Sequence, residues 1–372
     1  MKIKLPFLVL IICVMLSACS KPSKEDEQNN TPTNQPTLAP TETPTQQPTL
    51  VPTDTPTKEL SIEDYYPFEA DSEYVYEGKG SEFAFYNRYV DFLDEEHNRM
   101  QIRTNNGGTE TVRVLELTEN SLSIIKSTGE SYSRENIMLD AAAGEDAEIL
   151  LKEPLEKGTE WTLPDGRKRY ISNVDVTITT PLGTYTALEV TTEAVDSISK
   201  DFYAPQVGLV MSEFMTGDDV VSSQLSSLKK DSPLGQIISV YYVDQDEKIH
   251  IENKEVSFFT NDGTLLKLQE VLSNKPVKDT YLPLISPSTQ LLSVARTEDS
   301  AIAVDFTNEL VTEMNAGAGF ETLILQCIVN TLGQYYGVNQ VYITVEGKPY
   351  ESGHILMKEG EPFLVNLDQV VE

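Results

Sequence analysis

From Pro32 to Pro56 a proline returns at every fourth position, and each one is followed by threonine. Proline fixes φ and has no amide hydrogen to donate, so a tract with this spacing suits neither a helix interior nor a central strand. Around it, from Lys21 to Thr57, the residues are mostly Thr, Gln, Asn and Glu. Such a composition buries too little apolar area to offset the entropy of folding. The tract is expected to be a disordered tether biased to polyproline II, and its roughly 25 proline-spaced residues would reach on the order of 75 Å. A glycosylated stalk or a proline-motif ligand are alternatives for the same composition. Folding is thereby confined to the region from about residue 60 to the C-terminus, enough chain for about two ordinary domains.

The whole chain carries a formal charge of −31. A surface of that sign repels phosphate, and no cluster of Lys and Arg relieves it, so no nucleic acid is expected as a partner. The same charge should keep the folded part off anionic lipid. Of the three cysteines, Cys13 and Cys19 lie near the N-terminus, which leaves Cys327 alone in the folding region. No intramolecular disulfide is expected there, and the core has to hold the fold. His97, His250 and His354 are far apart, so a His/Cys metal cluster is unsupported and no metal or cofactor is expected.

Lys2 and Lys4 precede a stretch from Leu5 to Leu16 that is apolar except for Pro6, and Leu16-Ser17-Ala18-Cys19 closes it. A basic start, a short apolar run and small residues form the layout of a secretory signal. The run is too short to span a bilayer as a helix, which takes about 20 apolar residues. Its last four residues resemble the lipobox of bacterial lipoproteins. That resemblance implies a signal peptide over residues 1–18, a lipid attached to the Cys19 thiol with palmitate-type acyl chains, and a linker over residues 19–59. The expected location is the extracytoplasmic face of the cell membrane, with the lipid as the anchor.

Between residues 60 and 231 the pattern is strands and turns. Val174, Val176 and Ile178 alternate with Asp175, Thr177 and Thr179; then Pro181-Leu182-Gly183 offers a turn before Leu188 and Val190 alternate again. This predicts a β-hairpin. Asn105-Asn106-Gly107-Gly108 and Pro164-Asp165-Gly166 punctuate the region similarly. A mostly antiparallel β-domain is expected, barrel-like or sandwich-like, with Tyr74, Tyr76 and Tyr89 on half-buried strand faces. An exposed tyrosine row would instead bind glycan or peptide.

Lys229-Lys230-Asp231-Ser232-Pro233 marks a boundary, and residues 232–372 change rhythm. Ile237 to Val243 predicts a strand and Phe258-Phe259 a short one. A helix follows, with Leu265, Leu268 and Leu272 on one face and Asn261 or Asp262 as its N-cap. Leu291 to Val294 and Ile302, Val304 and Phe306 predict a strand pair. After Asn315-Ala316-Gly317-Ala318-Gly319, a second helix places Phe320, Leu323, Ile324, Cys327, Ile328 and Leu332 on one stripe. Val341, Ile343 and Val345 alternate in a last strand. The fold class expected is α+β: after the tether, an antiparallel β-domain and then a two-layer βαββαβ unit with both helices on one face of a small sheet.

Several segments of this last region come in a recognisable order: Ile238-Ser239-Val240-Tyr241-Tyr242, Leu291-Leu292-Ser293-Val294, Ala303-Val304-Asp305-Phe306, the glycines before the second helix, Cys327-Ile328-Val329-Asn330-Thr331-Leu332, and Val341-Tyr342-Ile343-Thr344-Val345-Glu346-Gly347. Together they resemble the GerMN domain of the sporulation and spore germination GerM family, over a little more than a third of the chain. The resemblance implies a fold like those that build rings in export and engulfment complexes. It also implies contacts with envelope or sporulation proteins, or self-association, and no enzymatic activity. GerM itself resembles two tandem units, whereas residues 60–231 lack the two-helix pattern, so one such domain is expected here.

Other motifs carry little chemistry. Ser123-Ile124-Ile125-Lys126 and Ser197-Ile198-Ser199-Lys200 satisfy S-x-x-K. The serine of that motif has to open a helix and be joined by S-D-N and K-T-G elements, which are missing. Asp244, Asp246 and Glu255 fall at calcium-loop positions, yet Ile249 stands where the loop needs glycine. Cys327 reads as a small buried hydrophobe. Glu321 is expected to meet the positive end of its helix dipole, with contact to a partner as the other role. The chain reads as a non-enzymatic, lipid-anchored envelope protein. A binding module for wall glycan or peptide is the alternative, and an envelope hydrolase a further one.

Overall fold

Strands that bury one face and recur about every ten residues pair most simply with their sequence neighbours. The computed structural model, which describes residues 60–371, shows this over the first region. Cys19, the expected signal segment and the proline tract lie outside the described residues. A short helix, α1 (Ile62–Tyr65), is followed by β1 (Glu73–Lys79), β2 (Tyr86–Asp94), β3 (Arg99–Asn105), β4 (Glu110–Leu117), β5 (Ser121–Gly129) and β6 (Glu148–Lys152). Six more strands complete the region: β7 (Glu160–Thr162), β8 (Lys168–Thr179), β9 (Thr184–Glu193), β10 (Ile198–Ala204), β11 (Gly208–Thr216) and β12 (Asp219–Lys229).

All twelve form one antiparallel sheet in the order β6-β5-β4-β3-β2-β1-β12-β11-β10-β9-β8-β7. The first and last strands pair, Glu73 opposite Lys229, so the sheet curls almost into a barrel and its two ends are the sequence neighbours β6 and β7. Side chains reach across that seam: Trp161 Nε1 and Arg169 Nη1 both donate to the Ile149 carbonyl, at 3.0 and 2.7 Å. Ile62, Tyr65 and Tyr66 at the start of the region pack with Leu115, Leu122, Leu151, Ile171 and Leu188. The barrel-like expectation holds, and Tyr89 is half-buried, but Tyr74 and Tyr76 are fully buried. The segment between β5 and β6 folds back over the sheet, where Met138 and Ala141 pack on Phe92 and Val114.

The second region opens with β13 (Leu234–Val243) and β14 (Ile249–Phe258), a hairpin that forms its own two-stranded sheet. Then come α2 (Thr264–Ser273), β15 (Leu291–Arg296), β16 (Ile302–Phe306), a helical turn α3 (Glu309–Thr312), α4 (Ala318–Tyr336), β17 (Gln340–Val345), and the two-residue strands β18 (Lys348–Pro349) and β19 (Phe363–Leu364). The second sheet runs β15-β16-β17-β18, with β19 also on β17. β16 and β17 are parallel, joined through α4.

The order is thus not βαββαβ. The short strand expected at Phe258 is ten residues long, and it pairs with β13 rather than joining the second sheet. Its pattern is hidden because His250, Glu252 and Lys254, all half-buried, occupy three consecutive positions of one face. Their stems pack instead of aliphatic side chains: the His250 ring stacks on Tyr281 at 4.7 Å, and Lys254 lies 5.8 Å from the centre of the Tyr242 ring. The core of this region gathers Val240, Tyr242 and Ile249 from the hairpin, Leu268 and Leu272 from α2, Ile302, Val304 and Phe306 from β16, and Cys327, Ile328 and Leu332 from α4. Lys58–Glu372 forms one compact unit that takes in both regions.

Candidate functional site

Gly317 is the N-cap of α4, so Glu321 falls in the first turn. The carboxylate is only 4% exposed. A buried charge needs donors, and three converge on it from the turn after β18. Tyr350 Oη donates at 2.9 Å, the Ser352 hydroxyl donates, and His354 Nδ1 lies at 2.6 Å. Burial pushes the Glu321 carboxyl up, but the hydrogen bonds from Ser352, His354 and Tyr350 outweigh it and hold the group below the usual carboxylate range. The expected place beside the helix dipole is correct. Its three partners are 29, 31 and 33 residues away, and no spacing rule in the sequence links them. A Ser–His–acid relay needs the imidazole between serine and carboxylate. Here Ser352 and His354 reach the carboxylate independently, so the cluster ties the turn to α4.

The other residues singled out from the sequence are dispersed. Ser123 lies within β5 and Ser197 in the turn just before β10, and neither opens a helix. Asp244 closes the β13–β14 turn, accepting from the Asp246 and Lys248 amides and facing His250 Nε2 at 2.8 Å, while Glu255 stands exposed along β14. Cys327 is fully buried, and burial pushes its thiol up to about 12. Among the described residues no group of three His, Cys, Asp or Glu side chains could hold a metal ion.

The residue that sequence reasoning missed is Arg134, which joins the two regions. It sits between β5 and β6 and is 1% exposed. Its guanidinium donates to the Asp91 carbonyl at 2.6 Å, to the Phe259 carbonyl at 3.0 Å, and to the Asp262 carbonyl. It also lies 4.1 Å from the Phe92 ring centre and 4.9 Å from that of Phe258. Its amide donates to Tyr335 Oη, and its carbonyl accepts from Thr264 Oγ1 at 2.7 Å. Beside it, Asn261 brackets the Leu93 backbone with Oδ1 and Nδ2 at 2.9 and 3.0 Å. That use of Asn261 corrects the expected cap of α2. With Asn261 at φ 67° and Asp262 accepting from the Phe259 amide, Gly263 becomes the N-cap.

The larger sheet of the second region begins at β15, which pairs on one side only among the described strands; its Leu291 amide donates to Gln269 Oε1 of α2 and its last residue, Arg296, binds Glu135 of the first region. Leu292 stands 46% exposed on β15. Ile302, Val304 and Phe306 of β16 turn into the core, whereas Ala303 and Asp305 face the other way, beside Tyr342 and Thr344 of β17.

The molecule is therefore of a class in which a small mixed α/β domain with an open sheet edge is locked to a nearly closed antiparallel sheet. Residues 239–351 match the family model described as "Germane: Sporulation and spore germination". Among solved structures it is similar to the tandem GerMN domains of the sporulation protein GerM from Bacillus subtilis, at 16% identity and a TM-score of 0.28, over 35% of this chain and 46% of that one. The chain thus spans about half the length of that tandem structure. The first GerMN domain of the same protein aligns at 17% identity and a TM-score of 0.27, over 35% of this chain and 97% of that one. A Clostridium perfringens chain assigned as a lipoprotein aligns at 21% identity and a TM-score of 0.24, over 36% and 87%. No curated protein sequence matches.

Proposed function

We propose that this chain is a non-enzymatic lipoprotein on the extracytoplasmic face of the cell membrane, anchored through Cys19, whose Germane domain makes protein contacts in sporulation, germination or envelope assembly. The observation that carries the reading is the family match at residues 239–351, lying on a domain whose sheet ends in the exposed edge strand β15. An edge strand offers unpaired backbone groups, and a partner strand can extend the sheet there. Leu292 would supply an apolar contact beside those bonds. No described helix is long and apolar enough to cross a membrane.

The test is a photocrosslinking side chain at Leu292 in the full-length protein in cells. The wild-type chain should fractionate with membranes and give a discrete crosslinked species, with a second copy or another envelope protein, that is lost when Ser293→Pro blocks the edge. Cys19→Ala should move the chain to the soluble fraction. Membrane retention of Cys19→Ala would overturn the anchor, and no crosslink at Leu292 would overturn the contact role of β15.

A further inference from the structure

Within the twelve-stranded sheet region, with Tyr66 in its wall, lies a recess of about 380 Å³, the lower end of the range for small-molecule sites. The strand register places its walls. Arg88 stands opposite Thr104 on β3, Ile102 opposite Arg113 on β4, and Asp201 opposite Ser212 on β11. All six line the recess. The apolar part of the wall comes from residues such as Leu115, Ile124 and Leu209.

Charge is distributed unevenly inside it. Three arginines and two carboxylates line a recess in a chain whose net charge is −31. Arg169 is already satisfied by Glu148 at 2.8 Å, Thr192 at 2.7 Å and the Ile149 carbonyl. Arg88 is 6% exposed and Arg113 half-buried, and among the described residues neither has an ion-pair partner. Arg88 donates one bond, from Nη1 to Tyr66 Oη at 3.0 Å, and stacks 3.9 Å from the centre of the Tyr74 ring. Its Nε is buried without any hydrogen-bond partner. The Tyr66 and Tyr76 ring centres also lie 5.4 and 5.9 Å from this guanidinium, but ring faces repay the desolvation of a buried cation only in part, and a counter-anion would repay more. Asp201 forms no ion pair with Arg88 or Arg113 among the described residues; its carboxylate accepts from Ser212 Oγ at 2.6 Å, and burial holds the group above its ordinary range.

We propose that this recess binds a small organic anion, with its carboxylate or phosphate between Arg88 and Arg113 and a ring or apolar body along Leu115, Ile124 and Leu209. Guanidinium groups suit both anions because their planar donors match paired oxygens, and the tyrosine hydroxyl of Tyr66 is positioned by Arg88 to join them. The site lies in the β-region and does not depend on the contact role proposed for the Germane domain.

The test is isothermal titration of the full-length protein with phenyl phosphate, benzoate and neutral phenyl glucoside. One or both anions should bind at a single site, and the stronger of the two identifies the anion class. Arg113→Gln should weaken that binding at least tenfold, as should Arg88→Met. Phenyl glucoside should bind at least tenfold more weakly than the better anion. Arg113 is half-buried and unpaired, so its variant keeps the test decisive if Arg88→Met fails to fold by circular dichroism. Equal affinity for phenyl glucoside, wild-type affinity in Arg113→Gln, or no saturable binding of either anion would each overturn the proposal.

Discussion

Glu321 shows how much one side chain here depends on partners distant in sequence. A carboxylate held below its ordinary 4.5 contributes stability above that pH and loses it as pH falls through its lower folded value. Glu321→Gln keeps the shape but removes the charge that three donors converge on, and it should cost about 1–3 kcal/mol at pH 7. The difference from wild type should shrink as pH drops below 4.5, which urea unfolding at pH 7 and pH 3.5 would measure. A difference that stays constant would show that the ionised form is not what the cluster holds. The sequence made Glu321 legible through its place in the first turn of an apolar-striped helix. It could not show Tyr350, Ser352 and His354, because a carboxylate's partners are set by which turn folds back over the helix. Arg134 was illegible for a related reason: the stretch between β5 and β6 has no periodicity, so nothing marks one of its residues as buried.

At the level of elements, α4 was the easiest to read and β14 the hardest. The stripe through Cys327, Ile328 and Leu332 reports burial directly, whereas His250, Glu252 and Lys254 give one face of β14 a polar appearance while packing by their stems and rings. The sequence also hides what crosses the far side of α4. Asn330 bonds the Asn366 backbone in both directions, Nδ2 to the carbonyl at 2.7 Å and Oδ1 from the amide at 2.9 Å, and Gln326 Nε2 donates to the Leu364 carbonyl at 2.9 Å. This C-terminal strap needs Gly333, where a Cβ would overlap the Val365 side chain and come within 3.1 Å of the Val338 carbonyl. Gly333→Leu should therefore destabilise the protein by about 1–3 kcal/mol through overpacking. Adding Val365→Ala should recover part of the loss in thermal unfolding. No recovery would place the clash elsewhere.

For the whole molecule, the two regions were legible as separate rhythms, but their union was not, since hydrophobic periodicity does not say which two surfaces meet. The union rests on Arg134, on Asn261 and on Arg296, whose guanidinium binds Glu135 at 2.9 Å and Ser133 Oγ at 3.1 Å. With that junction intact the compact unit should unfold in one cooperative transition. Arg134→Met orphans buried carbonyls and should cost about 3 kcal/mol and separate the calorimetric transition into two. A single transition in the variant would mean that the regions are coupled by something other than this arginine. The strand order carries a last consequence. Every neighbouring pair in the twelve-stranded sheet is held by a backbone ladder, but β6 meets β7 and β8 through side chains that share the Ile149 carbonyl, together with the Arg169–Glu148 pair. Amide exchange is therefore expected to be faster in β6 and β7 than in β1 and β12, and equal protection would show that the side-chain contacts close the seam as firmly as a ladder. Glu148 and Arg169 both line the recess, so the seam is part of its wall.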